Sequence, residues 1–158
     1  VIFDLVIAIE VGMVAAALLF IKRMSEVTEV HGWKYADDDD DPDSITLRTV
    51  PKNTLVYEIN GPMFFGAADK ILQIAVKDTT NCLILRMRSV NAIDATAMRN
   101  LEKLYNLCKM KKVTLILSHV NEQPMSIMAK AGFDKKIGAE NFCPHIDDAL
   151  ARAAELNV

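Results

Sequence analysis

Residues 82–112, CLILRMRSVNAIDATAMRNLEKLYNLCKMKK, read as one buried strand, one sharp turn and one long amphipathic helix. Cys82-Leu83-Ile84-Leu85 is a continuous apolar run, the pattern of a strand covered on both faces in a parallel or mixed sheet, and Arg86-Met87-Arg88 leads out of it. Ser89-Val90-Asn91 turns the chain. Asp94 then stands where an N-cap is wanted. Ala97, Leu101, Leu104 and Cys108 recur at spacings of four and three, while Arg99, Asn100, Glu102, Lys103, Asn106 and Lys109 fall on the other side. With Asp94 as the cap, Thr96 is the second residue of the first turn. There, unsatisfied N–H groups and the positive end of the helix dipole favour an anion.

Around this unit, strands alternate with helices. Leu55–Asn60 alternates, with Leu55, Tyr57 and Ile59 on one face, and Gly61-Pro62 ends it. Ile45–Val50 reads as a short antiparallel edge strand before it. An apolar loop, Met63-Phe64-Phe65-Gly66, leads to a helix over 67–76 with Ile71, Leu72, Ala75 and Val76 inward. Val113–Leu117 is a further strand. A helix begins at Asn121 or Glu122, with Pro124 in its first turn and Gly132 as its stop, and Ile137 and Phe142 suggest a minor edge segment. Ile146, Ala149, Leu150, Ala153 and Leu156 mark a terminal helix that carries Asp147 and Asp148 in its first turn. The expected fold class is α/β, with a mixed, mostly parallel sheet of about four strands packed with helices.

Two segments precede this body. Val1–Met24 is apolar apart from Asp4 and Glu10 until Lys22 and Arg23 close it. A span needs about 20 apolar residues, and basic residues at its C-terminal end place the remainder of the chain in the cytoplasm. The other reading is an amphipathic packing helix of a soluble protein. Residues 25–44 hold Asp37–Asp41, Pro42 and Asp43, a self-repelling block that reads as a solvated linker. It lacks the glycine and distal glutamate of a calcium loop, so no metal is expected there.

The 158 residues allow one domain with a sizeable core plus an appendage, and a net charge of -3 argues against a nucleic-acid partner. Cys82, Cys108 and Cys143 lie far apart with no metal-ligand spacing, and fit a reducing compartment. His31, His119 and His145 have no acidic partner at useful spacing. Arg86 and Arg88 read either as anion contacts or as partners of surface acids, the commoner use of arginine. With no glycine-rich phosphate loop, nucleophile elbow, zinc helix or triad in the sequence, no enzyme activity, catalytic residue or cofactor is expected.

Asp94-Ala95-Thr96 resembles the signature of STAS domains, found in bacterial anti-sigma-factor antagonists and in the cytoplasmic tails of sulfate permease (SulP) anion transporters. In the antagonists the motif is Asp-Ser-Ser/Thr-Gly with its third residue the phosphoacceptor, which the resemblance carries onto Thr96. Ala95 and Ala97 replace the antagonists' Ser and Gly, which is closer to the transporter pattern Asp-Ala/Ser-Thr-Ala. Asp4 to Gly12 is similar to the last transmembrane helix of SulP transporters. Asn60–Ala68 is a further point of similarity, and its loop should lie beside the Asp94 turn. The resemblance implies three parts: 1–24 as the end of the last membrane helix, 25–44 as the acidic linker and 45–158 as the STAS domain. It implies a regulatory and interaction module of a sulfate, bicarbonate or dicarboxylate transporter in the inner membrane. Thr96 is then the regulatory residue, Asp94 the cap of the regulatory turn, and Asn60, Gly61, Pro62, Phe64 and Phe65 an interaction loop. Its partners would be the transporter's membrane domain, a cytoplasmic protein and a second copy of the chain. The alternative is a soluble antagonist-like phosphoswitch, which has no use for the apolar N-terminal segment.

Overall fold

The computed structural model describes residues 2–32, 48–64, 69–74, 76 and 79–157. The central strand is β3 (Cys82–Ser89), longer than its apolar run because Arg86-Met87-Arg88-Ser89 continues the strand, with Arg86 and Ser89 paired to β2. To one side lie β2 (Thr54–Asn60) and the edge strand β1 (Glu29–Gly32), and to the other β4 (Thr114–Ser118) and the two-residue β5 (Phe142–Cys143). The order is β1-β2-β3-β4-β5, with β1 antiparallel and the remaining pairs parallel. The sheet is thus the mixed, mostly parallel one that the sequence leads one to expect, with five strands.

Both faces of the sheet are covered, which is why β3 is buried from Cys82 through Met87. On one face Leu83, Leu85, Leu115 and Leu117 meet α2 (Ala95–Met110), α3 (Glu122–Lys130) and α4 (Phe133–Ile137) through Leu101, Leu104, Met128 and Phe133. Each fully buried leucine there contributes about 1.5–3 kcal/mol. On the other face Val56, Ile84 and Ile116 meet Ile146, Ala149, Leu150 and Ala153 of α5 (Ile146–Leu156). The N-terminal helix α1 (Ile2–Val27) joins neither layer, and its side chains from Asp4 to Arg23 are exposed throughout.

Three local expectations change. The antiparallel edge is supplied by Glu29–Gly32, within the stretch read as linker. Of Ile45–Val50 the described residues 48–50 are not in a strand, and Val50 packs instead against the α5-side core. Asp69–Gln73 is a 3-10 helix, whose three-residue period buries Ile71 and Ile74 and leaves Leu72 exposed. Asn100, placed on the outer side of α2 by periodicity, is buried and donates from Nδ2 to Asp69 Oδ1 at 2.7 Å. The acidic run Asp37–Asp43 lies outside the described residues.

Candidate functional site: the strand-to-helix turn

The turn from β3 to α2 is assembled from its backbone outward. Asp94 has extended backbone (φ -106°, ψ -179°), and its Oδ1 accepts the Ala97 N–H at 2.8 Å, which caps α2. Its own N–H donates to Met63 O at 3.2 Å, and Met63 N–H donates to Ala92 O at 2.9 Å. Gly61 N–H donates to Ser89 O at 3.3 Å. The loop after β2 therefore lies directly along the Asp94 turn, Met63 pairing with Ile93 as an isolated parallel bridge. Gly61 has φ +95°, a left-handed conformation that only glycine adopts without strain.

Thr96 is the second residue of α2 and is half-buried, with Ala95 exposed before it. Asn60 ends β2 and pairs across to both Glu29 and Ser89. Pro62 O accepts from Thr28 Oγ1, and Phe64 is half-buried. Phe65 lies outside the described residues.

Two side chains that the sequence shows only as part of a helix start hold the turn from its other side. Gln123 accepts the Ile93 N–H at Oε1 (3.0 Å) and donates from Nε2 to Ile93 O (3.2 Å), so its amide pairs with the chain as a neighbouring strand would. Asn121 donates from Nδ2 to Arg88 O at 2.9 Å and to Val90 O at 2.8 Å. With Asn91 and Ser126 they line an open, polar cleft of about 560 Å³. Near the C-terminal ends of β2 and β3, Glu58 is buried and receives Arg88 Nε at 2.6 Å and Arg86 Nη1 at 3.4 Å, Glu58 and Arg86 being ladder partners. The acid that meets both arginines is thus a buried one. His31 sits beside Glu29 at 2.7 Å, whose carboxyl its hydrogen bond holds below the ordinary carboxylate value, and the His119 and His145 rings meet edge-on at 5.1 Å. Among the described residues no three His, Cys, Asp or Glu side chains converge as metal ligands.

Residues 45–149 match the STAS domain family. The chain belongs to that family. Its STAS domain lies on the sulfate-transporter branch, being 40% identical to a sulfate transporter family protein from Wolinella succinogenes, with a TM-score of 0.69 over 75% of this chain and 98% of that one. The STAS domain of a SulP transporter from Vibrio cholerae is 29% identical, with a TM-score of 0.59 over 68% of this chain and 85% of the other. A candidate sulfate transporter of Bacillus subtilis, YvdB, is 30% identical over 94% of this chain, but the chain spans only 27% of that protein's length.

Proposed function

We propose that this chain is the cytoplasmic regulatory and interaction part of a SulP-type secondary anion transporter of the inner membrane, together with the end of its last membrane helix. The observation that carries the reading is α1. Over Asp4–Arg23 it is long and apolar enough to cross a bilayer, none of it is buried against the domain, and it runs straight into a STAS sheet. A soluble phosphoswitch leaves that exposed apolar surface without a role. Lys22 and Arg23 set the domain on the cytoplasmic side. Asp4 and Glu10 are costly in lipid and would face the interior of a helix bundle.

In this reading residues 1–24 are membrane helix, the acidic run within 25–44 is a solvated linker, and the module within 45–158 performs no chemistry of its own. The Asp94–Thr96 turn is its regulatory face, and Asn60, Gly61, Pro62, Phe64 and Phe65 are its interaction residues. It meets the membrane domain, a cytoplasmic protein or a second copy of the chain. The anion, whether sulfate, bicarbonate or a dicarboxylate, is selected by membrane helices outside this chain. Uptake of each labelled anion by the full-length protein in proteoliposomes tests the reading, with wild type beside Thr96→Glu. Uptake of none of them rejects the transporter assignment, and unchanged uptake and partner capture in both Thr96→Glu and Thr96→Ala reject the regulatory role.

A further inference from the structure

The membrane helix does not reach the domain through a loose tether. Val27, its last residue, is followed by Thr28, which is 0% exposed, and then at once by β1. Thr28 Oγ1 donates to Pro62 O, and Lys70 Nζ donates to Thr28 O. Gly61 passes so close that an added Cβ would lie 3.3 Å from Thr28 Cα. Gly61 and Pro62, which press on and bond Thr28, therefore belong to the loop whose next member, Met63, exchanges hydrogen bonds with Ala92 and Asp94. One short loop is bonded to the exit of α1 on one side and to the capped turn on the other.

We propose that Thr28, Lys70 and Gly61 are positioning residues of a joint that holds α1 and the Asp94–Thr96 turn in one fixed arrangement, so that a charge or partner acting at the turn is felt by the membrane helix. The transmission rests on the roles proposed above for α1 and for Thr96; the joint itself does not. Its stiffness has a physical origin. Thr28 is β-branched, with few staggered side-chain positions, and its polar atoms are out of water, so letting go of Pro62 or Lys70 strands a buried donor or acceptor. Gly61 adds a steric stop, since its φ of +95° strains any side chain and an added Cβ would press on Thr28 Cα at 3.3 Å.

The test uses the full chain in detergent micelles, spin-labelled at Glu26→Cys and Ala95→Cys, two exposed positions on either side of the joint. The native Cys82, Cys108 and Cys143 are buried, so labelling goes to the introduced thiols. Pulsed electron paramagnetic resonance should give one narrow distance distribution. In Thr28→Val combined with Lys70→Ala it should broaden at least twofold, and Thr28→Ser, which keeps the hydroxyl, should restore it. A merely stabilising role for Thr28 would lower the unfolding midpoint without widening the distribution. A distribution already broad before mutation, or unchanged by the double variant, overturns the joint. In proteoliposomes carrying the full-length transporter, the flux change caused by Thr96→Glu should shrink at least threefold in the Thr28→Val, Lys70→Ala background. An equal change in both backgrounds overturns transmission through the joint. A silent Thr96→Glu alongside a narrow distribution overturns the regulatory reading of the turn and leaves the joint standing.

Discussion

Glu58 offers the sharpest test of what ties β2 to β3 just before the turn. Its side chain is 4% exposed and shared by Arg86, 1% exposed, and Arg88, 30% exposed. Glu58→Ala takes from two guanidinium groups the carboxylate they share, in a place water barely reaches. Breaking a buried pair in this way costs about 3–5 kcal/mol, whereas the half-wet Arg88 contact by itself is worth much less. Glu58→Gln keeps the shape and an acceptor and loses only the charge. The buried guanidinium is still left without its counter-charge, so the glutamine variant should recover only about 0.5–1.5 kcal/mol of the alanine cost, the worth of one neutral hydrogen bond. Equilibrium urea unfolding of the chain in detergent, followed by far-ultraviolet circular dichroism, measures both. A total stability of about 5–15 kcal/mol makes the alanine variant's midpoint shift unmistakable. An alanine variant within about 1 kcal/mol of wild type, or a glutamine variant as costly as alanine, would refute the reasoning.

Other outcomes rest on the same geometry. Asp94→Ala removes the cap on the Ala97 N–H and should cost about 0.5–2 kcal/mol in urea, while Thr96→Glu should leave the domain folded and act only on flux or partner binding. Burial pushes the Cys82 thiol from an ordinary 9.0 up to about 12 and the Cys108 thiol up to about 11. Between those limits the unfolded chain gives up protons that the folded chain keeps, so the stability is present in full below pH 9 and is lost as pH rises from 9 toward 11 and 12. Unfolding at pH 10 should be easier than at pH 8 by about 2–3 kcal/mol, and a Cys82→Ala, Cys108→Ala variant should lose that part of the slope. The exposed α1 should drive self-association or detergent uptake; a chain that light scattering shows monomeric and soluble without detergent, α1 intact, would count against a membrane helix.

What could be seen in the sequence depended on how far each residue's partners lie along the chain. β3 and α2 were legible because both signals are local, an unbroken apolar run and a four-three stripe behind a cap. Glu29-Val30-His31-Gly32 was not, since one apolar residue in four carries no period, and it becomes a strand only by pairing with residues 57–60. The 3-10 segment misled for a related reason, because a four-residue period puts Leu72 inside where a three-residue period puts Ile74. At the turn, Asp94 could be placed as a cap from the residues after it. Gln123 and Asn121 could not, because their amides act on a backbone about 30 positions upstream. Likewise the alternation of β2 shows Leu55, Tyr57 and Ile59 facing one way, but nothing local tells that the other face, where Val56 packs with residues of α5, is buried too.

The unbroken helix from Asp4 to Val27, delivered straight into a gripped Thr28, gives the junction a phase. An α-helix advances about 1.5 Å and turns about 100° with each residue. One residue inserted between Arg23 and Val27 therefore swings the whole domain by about that angle around the helix axis while hardly changing its height. Seven residues bring it back to within about 20° of its starting orientation, about 10 Å farther along the helix axis. In the proposed transporter, anion uptake measured against insertion length should rise and fall with the helical repeat, whereas a flexible tether would give a smooth decline.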